Sequence, residues 1–230
     1  MRSTLSHSLT FGLLITIIPM STAADDKPDP RVSDVTAKVE GKTYAEWSAA
    51  WWQWGISIKK ERNPILDKTG AFAAEGQDGP VFFLAGNSGG KTSRKCTVPA
   101  NKPIFLPIIN YIESDVPDKA DEKKLLSTAK TKMDAAQDVQ ATLDDKPIAG
   151  LDHFRVASAI FTFTGPDKAD AAFEDCFGKQ KAASDGYWLM LKPLTPGKHT
   201  LHFKAKVKPE QGKDPFELDV TYELTVEEKK

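Results

Sequence analysis

The chain has 230 residues, of which 40% are hydrophobic and 27% are charged. This is the composition of an ordinary globular protein, and it excludes general disorder, a collagen-like fibre and a multi-span membrane architecture. Lysine and arginine number 31 and aspartate and glutamate 32, so the formal net charge is -1. Because the chain has no positive excess, its charge gives no basis for nucleic acid as a partner, and we expect none.

The first 23 residues predict a signal peptide. Arg2 is the one charged residue before Asp25, and the apolar run 9–20 is too short to cross a bilayer as a helix of the mature chain. Small residues follow, and Ala23 and Ala24 are both acceptable cleavage positions. An uncleaved membrane anchor is the alternative. We expect an exported protein, periplasmic or extracellular, without a stable membrane anchor after cleavage.

Residues 24–42 are polar and contain two prolines, which predicts a leader on the surface ahead of the folded domain. After it, Thr43 and Glu46 have the spacing of a capping box, in which the two side chains bond the first backbone N–H groups of a helix. The helical periodicity continues to Gly55, a residue that suits a helix end. We therefore predict a helix from Thr43 to about Gly55.

Four of the five tryptophans fall inside this helix. Trp47, Trp51 and Trp54 share one stripe, which favours burial against a sheet, although a contact surface for a ligand or partner is the alternative. Trp52 lies about 100° round the helix from Trp51. We expect Trp52 to be the more exposed residue and a ligand contact.

Most of the remaining chain consists of short apolar or alternating runs between turn residues, which predicts β-strands. These runs are 80–85, 96–99, 104–109, 139–143, 154–163, 187–191, 199–207 and 216–226. Helix-forming residues over 117–136 interrupt them. We predict a mainly β, single-domain β-sandwich or jelly-roll-like fold over residues 43–230, with two or three inserted α-helices.

One connection between predicted strands is especially rich in turn residues. The segment 193–198 contains Pro193 and the pair Pro196-Gly197, between the apolar runs 187–191 and 199–207. This pattern predicts a tight turn that joins two paired antiparallel strands.

Cys96 and Cys176 are the only cysteines. In an exported protein a single pair of cysteines predicts one disulfide. Two buried free thiols are one alternative, and a thiol used for chemistry or for binding a metal is another.

The sequence contains no motif for nucleophilic catalysis of the Gly-x-Ser-x-Gly type and no phosphate-binding loop. His199 and His202 are three residues apart, so on a strand they point to opposite faces and cannot share one metal ion. We assign no catalytic residue, no metal site and no cofactor.

Four residues are the candidate ligand contacts. Asn63 and Asp67 carry loop oxygens of the kind that Ca²⁺ accepts, although their spacing matches no EF-hand and turn formation explains them equally well. Trp52 and Trp47 join them because exposed indole rings stack on sugars or pack against partners.

Several stretches together resemble an uncharacterised family of secreted bacterial proteins. They are YAEWSAAWWQW, NPILDKTG, GQDGPVFFLAG, CTVPANKPIFLPIIN and DGYWLMLKPLTPGKHTLHF, spread from about Thr43 to Val226. In this family a W-x3-WW-x-W helix precedes a β-sandwich. The family has no assigned activity, so the resemblance implies export and a bacterial origin and transfers no catalytic residue.

The sequence is compatible with two functions. The first is a non-enzymatic module that binds an unknown small ligand or a protein partner. The second is a secreted hydrolase that acts on carbohydrate, with its site near the Trp-rich helix. A pocket with clustered carboxylates would favour the hydrolase, and an apolar pocket without titratable groups would favour the binding module.

Overall fold

The aromatic run of this chain is a helix and its alternating runs are strands in the computed structural model, which describes residues 29–209, 212 and 214–228. The predicted signal peptide and its cleavage position lie outside these residues. The described part contains two α-helices, α1 (Tyr44–Ser57) and α2 (Glu122–Asp134). Its strands are β1 (Phe82–Phe83), β2 (Gly90–Pro99), β3 (Ile104–Ser114), β4 (Ala136–Leu143), β5 (Lys146–Pro147), β6 (Arg155–Ala157), β7 (Phe161–Gly165), β8 (Gly178–Leu191), β9 (Gly197–Val207) and β10 (Phe216–Glu227).

The strands form two sheets around a shared hydrophobic core. The first sheet has the order β1-β3-β8-β6, with β7 also paired to β8, and the second has the order β2-β10-β9-β4-β5. β1 is parallel to β3 and β2 is parallel to β10, whereas the other pairs are antiparallel. The predicted mainly β fold with inserted helices is confirmed, as a β-sandwich-like arrangement of two mixed sheets.

The first sheet is covered on both faces. Residues 104–109 of β3 and 188–191 of β8 are buried without a break. Because successive side chains of a strand point to opposite faces, unbroken burial means that both faces are packed. Helix α1 contacts this sheet, and β3 also contacts β4 and β9 of the second sheet. The second sheet itself alternates along β9 and β10 between buried and more accessible residues, as a sheet with one face toward water does.

Helix α1 begins as predicted. The Thr43 N–H donates to Glu46 Oε2 at 2.7 Å, and the Glu46 N–H donates to Thr43 Oγ1 at 3.3 Å, which completes the capping box. The helix ends at Ser57, two residues beyond the predicted end. Trp47, Trp51 and Trp54 are buried, which confirms the stripe that faces the protein interior. No helix of the described part is long and apolar enough to span a bilayer.

The described end of the leader is part of the first sheet. Val32 is buried and forms an isolated bridge with Leu191. The Ser33 N–H donates to the Met190 carbonyl at 2.8 Å, and the Lys192 N–H donates to the Arg31 carbonyl at 2.9 Å. The predicted surface position therefore does not hold for Val32, because the polar sequence around it still has backbone groups that pair with a strand.

The predicted pairing of 187–191 with 199–207 is wrong. Strand β8 pairs with β3, β6 and β7, whereas β9 pairs with β4 and β10 in the other sheet. Residues 192–196 therefore carry the chain from one sheet to the other. Turn residues determine only that the chain changes direction, and the partner of each strand depends on where its apolar faces are covered.

The predicted disulfide is also wrong, because Cys96 and Cys176 are both free thiols. Cys96 lies on β2 in the second sheet, whereas Cys176 precedes β8 and packs against Gly165 at the end of β7 in the first sheet. A disulfide requires Cα atoms within about 7 Å, and the two sheets hold these residues on separate elements. Burial raises the pKa of Cys96 to about 12 and that of Cys176 to about 11.

Candidate ligand-binding cavity

A cavity of about 110 Å³ lies where helix α1 meets strands β3 and β10. Its lining comes from Trp51 and Trp52 on α1, Ile65, residues 86–88, residues 107–110 on β3, Phe173, and Phe216 with Leu218 on β10. Most of these residues are apolar, and three of them contribute aromatic rings that lie off the main helix stripe or on other elements. The cavity is therefore a small, mainly aromatic and aliphatic space between the helix and the two sheets.

A bulge in β3 shapes one wall of this cavity. The register between β3 and β8 shifts between Pro107 and Ile109, so that Ile108 is the extra residue. Pro107 has no N–H for the ladder, and a bulge beside it is the arrangement expected for a proline inside a sheet. The wall of the cavity thus follows from the proline in the sequence.

Asn110, two residues after the bulged Ile108, lies opposite a glycine. Asn110 pairs with Gly186 on β8, and a Cβ on Gly186 would lie 2.6 Å from the Asn110 Cβ. Any larger residue at position 186 would therefore displace Asn110. The glycine allows the two backbones to come close and keeps the Asn110 side chain at the cavity.

Trp52 lies off the main stripe and, as predicted, is the most exposed of the four helix tryptophans, although it is buried like the others. It is 8% exposed, because Phe173 and Trp51 cover it, with ring centroids 6.4 Å and 5.0 Å from that of Trp52. The neighbouring Trp51 donates its indole N–H to the Leu84 carbonyl at 2.9 Å. The two adjacent tryptophans thus differ: Trp51 is bonded into the core, and Trp52 lines the cavity.

Two cavity-lining residues carry buried donors that have no acceptor among the described residues. They are the indole Nε1 of Trp52 and the amide Nδ2 of Asn110. Leaving a buried polar group without a partner costs about 1–3 kcal/mol, so folded proteins match nearly all of them. A hydrogen-bond acceptor that occupied the cavity would remove this cost.

The lining contains no acidic, basic or histidine residue. It therefore offers neither the two carboxylates that most glycoside hydrolases use nor a base that would activate a nucleophile. The groups that it does offer are mainly apolar surface, with the polar side chains of Asn87, Ser88 and Asn110 and the indole N–H of Trp52.

A buried charge lies next to the cavity, the guanidinium of Arg94, which is 1% exposed. Its Nη1 donates to the carbonyls of Ala85 and Gly86, each at 2.9 Å, and to the Tyr222 hydroxyl at 2.7 Å. Its Nη2 donates to the Ile65 carbonyl at 3.2 Å, and its Nε has no acceptor in the described structure. Because Gly86 and Ile65 both line the cavity, Arg94 lies directly behind its wall.

The other three predicted contacts do not line the cavity, and their polar atoms are bonded within the chain. Trp47 donates to the Val39 carbonyl at 2.8 Å. Asn63 donates to the carbonyls of Gly55 and Ile58, at the end of α1, at 2.7 Å and 2.8 Å. The structure thus gives both residues a part in holding α1, and as ligand contacts they stay predictions.

Asp67 is likewise bonded within its own loop. Its Oδ1 accepts the N–H and hydroxyl of Thr69, at 2.8 Å and 2.7 Å, and its Oδ2 accepts the Phe72 N–H at 2.9 Å. Burial alone would raise the pKa of Asp67, but these bonds and the charge of Arg94 outweigh it and hold that pKa below its usual range. No cluster of three or more His, Cys, Asp or Glu suited to a metal occurs in the part of the chain that the structure describes.

Sequence reasoning missed Asn110, Phe173 and Phe216 at the cavity and Arg94 behind it. A usable signal existed for Arg94, because Thr92, Arg94, Cys96 and Val98 alternate along β2. An arginine at an inward position of an alternating strand is a marker of a buried charge. The others come from distant parts of the chain, and nothing local indicates that they meet.

The cavity adjoins a wider groove. Ile109, Asn110 and Phe216 also line this mostly apolar groove of about 560 Å³, which runs between α2 and the connection from β9 to β10. Phe216 is one of the few large exposed apolar residues of the described chain. A molecule larger than the cavity could therefore place one end in the cavity and extend along the groove.

Comparison with protein-family models, with curated proteins and with solved structures gives no match for this chain. The predicted resemblance to secreted bacterial proteins therefore stays a prediction.

Proposed function

We propose that this protein is an exported, non-enzymatic binding protein, and that its ligand places a hydrogen-bond acceptor in the cavity between α1, β3 and β10. The observation that carries the proposal is the pair of unmatched donors, Trp52 Nε1 and Asn110 Nδ2, on one largely apolar cavity. Ligand sites of this kind combine apolar walls with a few polar groups that orient the ligand. The proposal that the protein is exported rests on the signal-peptide pattern predicted for its first 23 residues.

The volume of the cavity limits the size of the ligand that it can hold. Each water molecule occupies about 30 Å³ in the liquid, and a dry apolar cavity of about 150 Å³ holds benzene. A cavity of about 110 Å³ therefore suits a group of a few heavy atoms. The ligand is a small carbonyl or carboxyl compound, or the end of a larger molecule whose remainder lies in the adjoining groove.

Propionamide is a suitable first probe, because it has a short apolar chain and a carbonyl acceptor. The mature protein should show saturable binding by titration calorimetry, and by NMR the indole N–H signal of Trp52 should shift. Saturating probe should also raise the melting temperature, because a ligand that binds only the folded state stabilises it by mass action.

The matched variants are Trp52→Phe and Trp47→Phe. Trp52→Phe removes the unmatched donor and should weaken propionamide binding by about tenfold, the value of one good hydrogen bond. Trp47→Phe removes an indole N–H that is bonded to Val39 away from the cavity, so its Kd should equal that of the parent protein. Equal Kd values for all three proteins, or no binding of the probe, would overturn the proposal.

A further inference from the structure

The buried guanidinium of Arg94 has no carboxylate partner. No carboxylate oxygen of the described residues lies within ion-pair distance of it, and its acceptors are three backbone carbonyls and one phenol. Asp67 is close enough for its pKa to respond to the charge of Arg94, but its oxygens are taken up by Thr69 and Phe72. Buried charges are normally paired, because removing an isolated ion from water is expensive.

The guanidinium of Arg94 bonds the backbone of the cavity wall. Two of the carbonyls that accept from Arg94 belong to Gly86 and Ile65, and both residues line the cavity. No lining residue is acidic, and the two unmatched groups of the lining are both N–H donors. A buried positive charge and two free donors therefore adjoin the same small cavity.

From these contacts we infer that the ligand of the cavity carries a carboxylate, and that Arg94 supplies the counter-charge through the cavity wall. This inference rests on the proposed binding function and names the chemical class of its ligand. Trp52 Nε1 and Asn110 Nδ2 donate to the carboxylate oxygens, and the short apolar part of the ligand contacts the aromatic lining. Arg94 does not touch the ligand and acts as a positioning and electrostatic residue.

The size of the expected preference follows from Coulomb's law. At an effective dielectric constant of about 20, two unit charges a few ångströms apart across a cavity wall interact strongly enough to change an affinity by about tenfold or more. The negative charge of Asp67 and the salt in solution both weaken this Coulomb interaction. We expect a carboxylate to bind about tenfold more tightly than an uncharged ligand of the same shape.

The test compares propionate with propionamide, which have nearly the same shape but differ in charge and in one acceptor oxygen, which is an NH2 donor in the amide. At low ionic strength and neutral pH the unmodified mature protein should bind propionate about tenfold more tightly. Equal affinity for the two compounds would overturn the carboxylate inference and leave the proposed function standing. Failure to bind either compound would overturn the proposed function itself.

Two variants locate the source of the preference. Arg94→Gln should still bind propionamide and should lose the preference for propionate. Its control is Lys95→Gln, the same change of charge at the next residue of β2, where the side chain is exposed and pairs with Glu223 at 3.0 Å. The preference should be unchanged in Lys95→Gln, and a loss in both variants would assign it to net charge and overturn the role of Arg94.

Asn110→Asp keeps the test decisive if Arg94→Gln does not fold. This change preserves the shape of the side chain, replaces a donor with an acceptor and adds a negative charge to the lining. Propionate binding should fall by more than tenfold and propionamide binding by less. An unchanged propionate Kd in Asn110→Asp would contradict the placement of the carboxylate at this residue.

Discussion

Two arginines of this protein lie in opposite kinds of surroundings. Arg155, on β6, donates from Nη1 to Asp134 Oδ1 and from Nη2 to Asp185 Oδ2, each at 2.8 Å. These hydrogen bonds, of which the one to Asp185 contributes most, raise the pKa of Arg155 above its ordinary value. The guanidinium thereby ties β6, β8 and the end of α2 together, and its charge is neutralised within the chain.

Arg94 is more deeply buried and has no such carboxylates. It is held by neutral acceptors, and one of them, Tyr222, is so well buried that the pKa of its hydroxyl rises to about 12. The comparison separates two uses of a buried cation. The charge of Arg155 is paired with carboxylates and links three elements of the fold. The charge of Arg94 has no carboxylate partner and lies beside a cavity that has unmatched donors.

Removing Asp185, which is 3% exposed, takes from Arg155 its buried carboxylate partner and should give the largest loss of stability. Asp185→Ala leaves the half of the guanidinium that faces the interior without its carboxylate. Breaking a buried ion pair costs about 3–5 kcal/mol, and because Arg155 is partly accessible we expect about 3 kcal/mol in the free energy of unfolding from urea titrations.

The control for Asp185→Ala is Glu223→Ala, which breaks the exposed pair with Lys95. Exposed pairs contribute little, so its urea midpoint should match that of the parent protein. A similar loss of stability in the two variants would show that burial does not distinguish these ion pairs.

The same contrast between matched and unmatched groups exists within α1. Trp51→Phe removes the donor to Leu84, leaves a buried carbonyl without a partner and empties space in the core, so it should lower the free energy of unfolding by about 2 kcal/mol. Trp52→Phe removes a donor that has no acceptor and should change stability by less than about 1 kcal/mol. Chemical unfolding followed by circular dichroism measures both, and a larger loss in Trp52→Phe would mean that the Trp52 N–H is bonded in solution without ligand.

The pair of His199 and Asp144 should make the smallest contribution to stability, and this contribution should depend on pH. His199 Nδ1 lies 2.8 Å from Asp144 Oδ2. Burial lowers the pKa of His199, but the hydrogen bonds with Asp144 and the Thr195 carbonyl outweigh it, so that pKa lies above 6.5. Burial raises the pKa of Asp144, but its bonds to His199 and the Thr200 N–H outweigh that effect and bring the pKa below 3.8.

The sign of the pH effect follows from these shifts. The raised pKa of His199 stabilises the fold below about pH 6.5 and this contribution is lost as the pH rises through the folded-state pKa, whereas the lowered pKa of Asp144 contributes above about pH 3.8. The parent protein should therefore exceed His199→Gln in stability by up to about 1 kcal/mol at about pH 5.5, and by less at about pH 8.5. A difference that does not change between the two pH values would mean that His199 is not charged in the pair.

Local patterns in the sequence determined the elements of this fold. The capping box of Thr43 and Glu46, the aromatic stripe of α1 and the alternating runs of β9 and β10 were predictable, because each depends on residues within a few positions of one another. The mainly β class followed from the number of such runs. Pro107 at a bulge also follows from a local cause, its missing N–H.

The tertiary structure alone decided which elements meet. It placed β8 and β9 in different sheets despite the turn residues between them, and it separated Cys96 from Cys176. It also buried Trp52 under Phe173 and brought Asn110 to the same cavity, with Arg94 behind the wall. The physical reason is that pairing and burial depend on how apolar faces from the whole chain are covered together, whereas periodicity and turn chemistry act only between near neighbours in sequence.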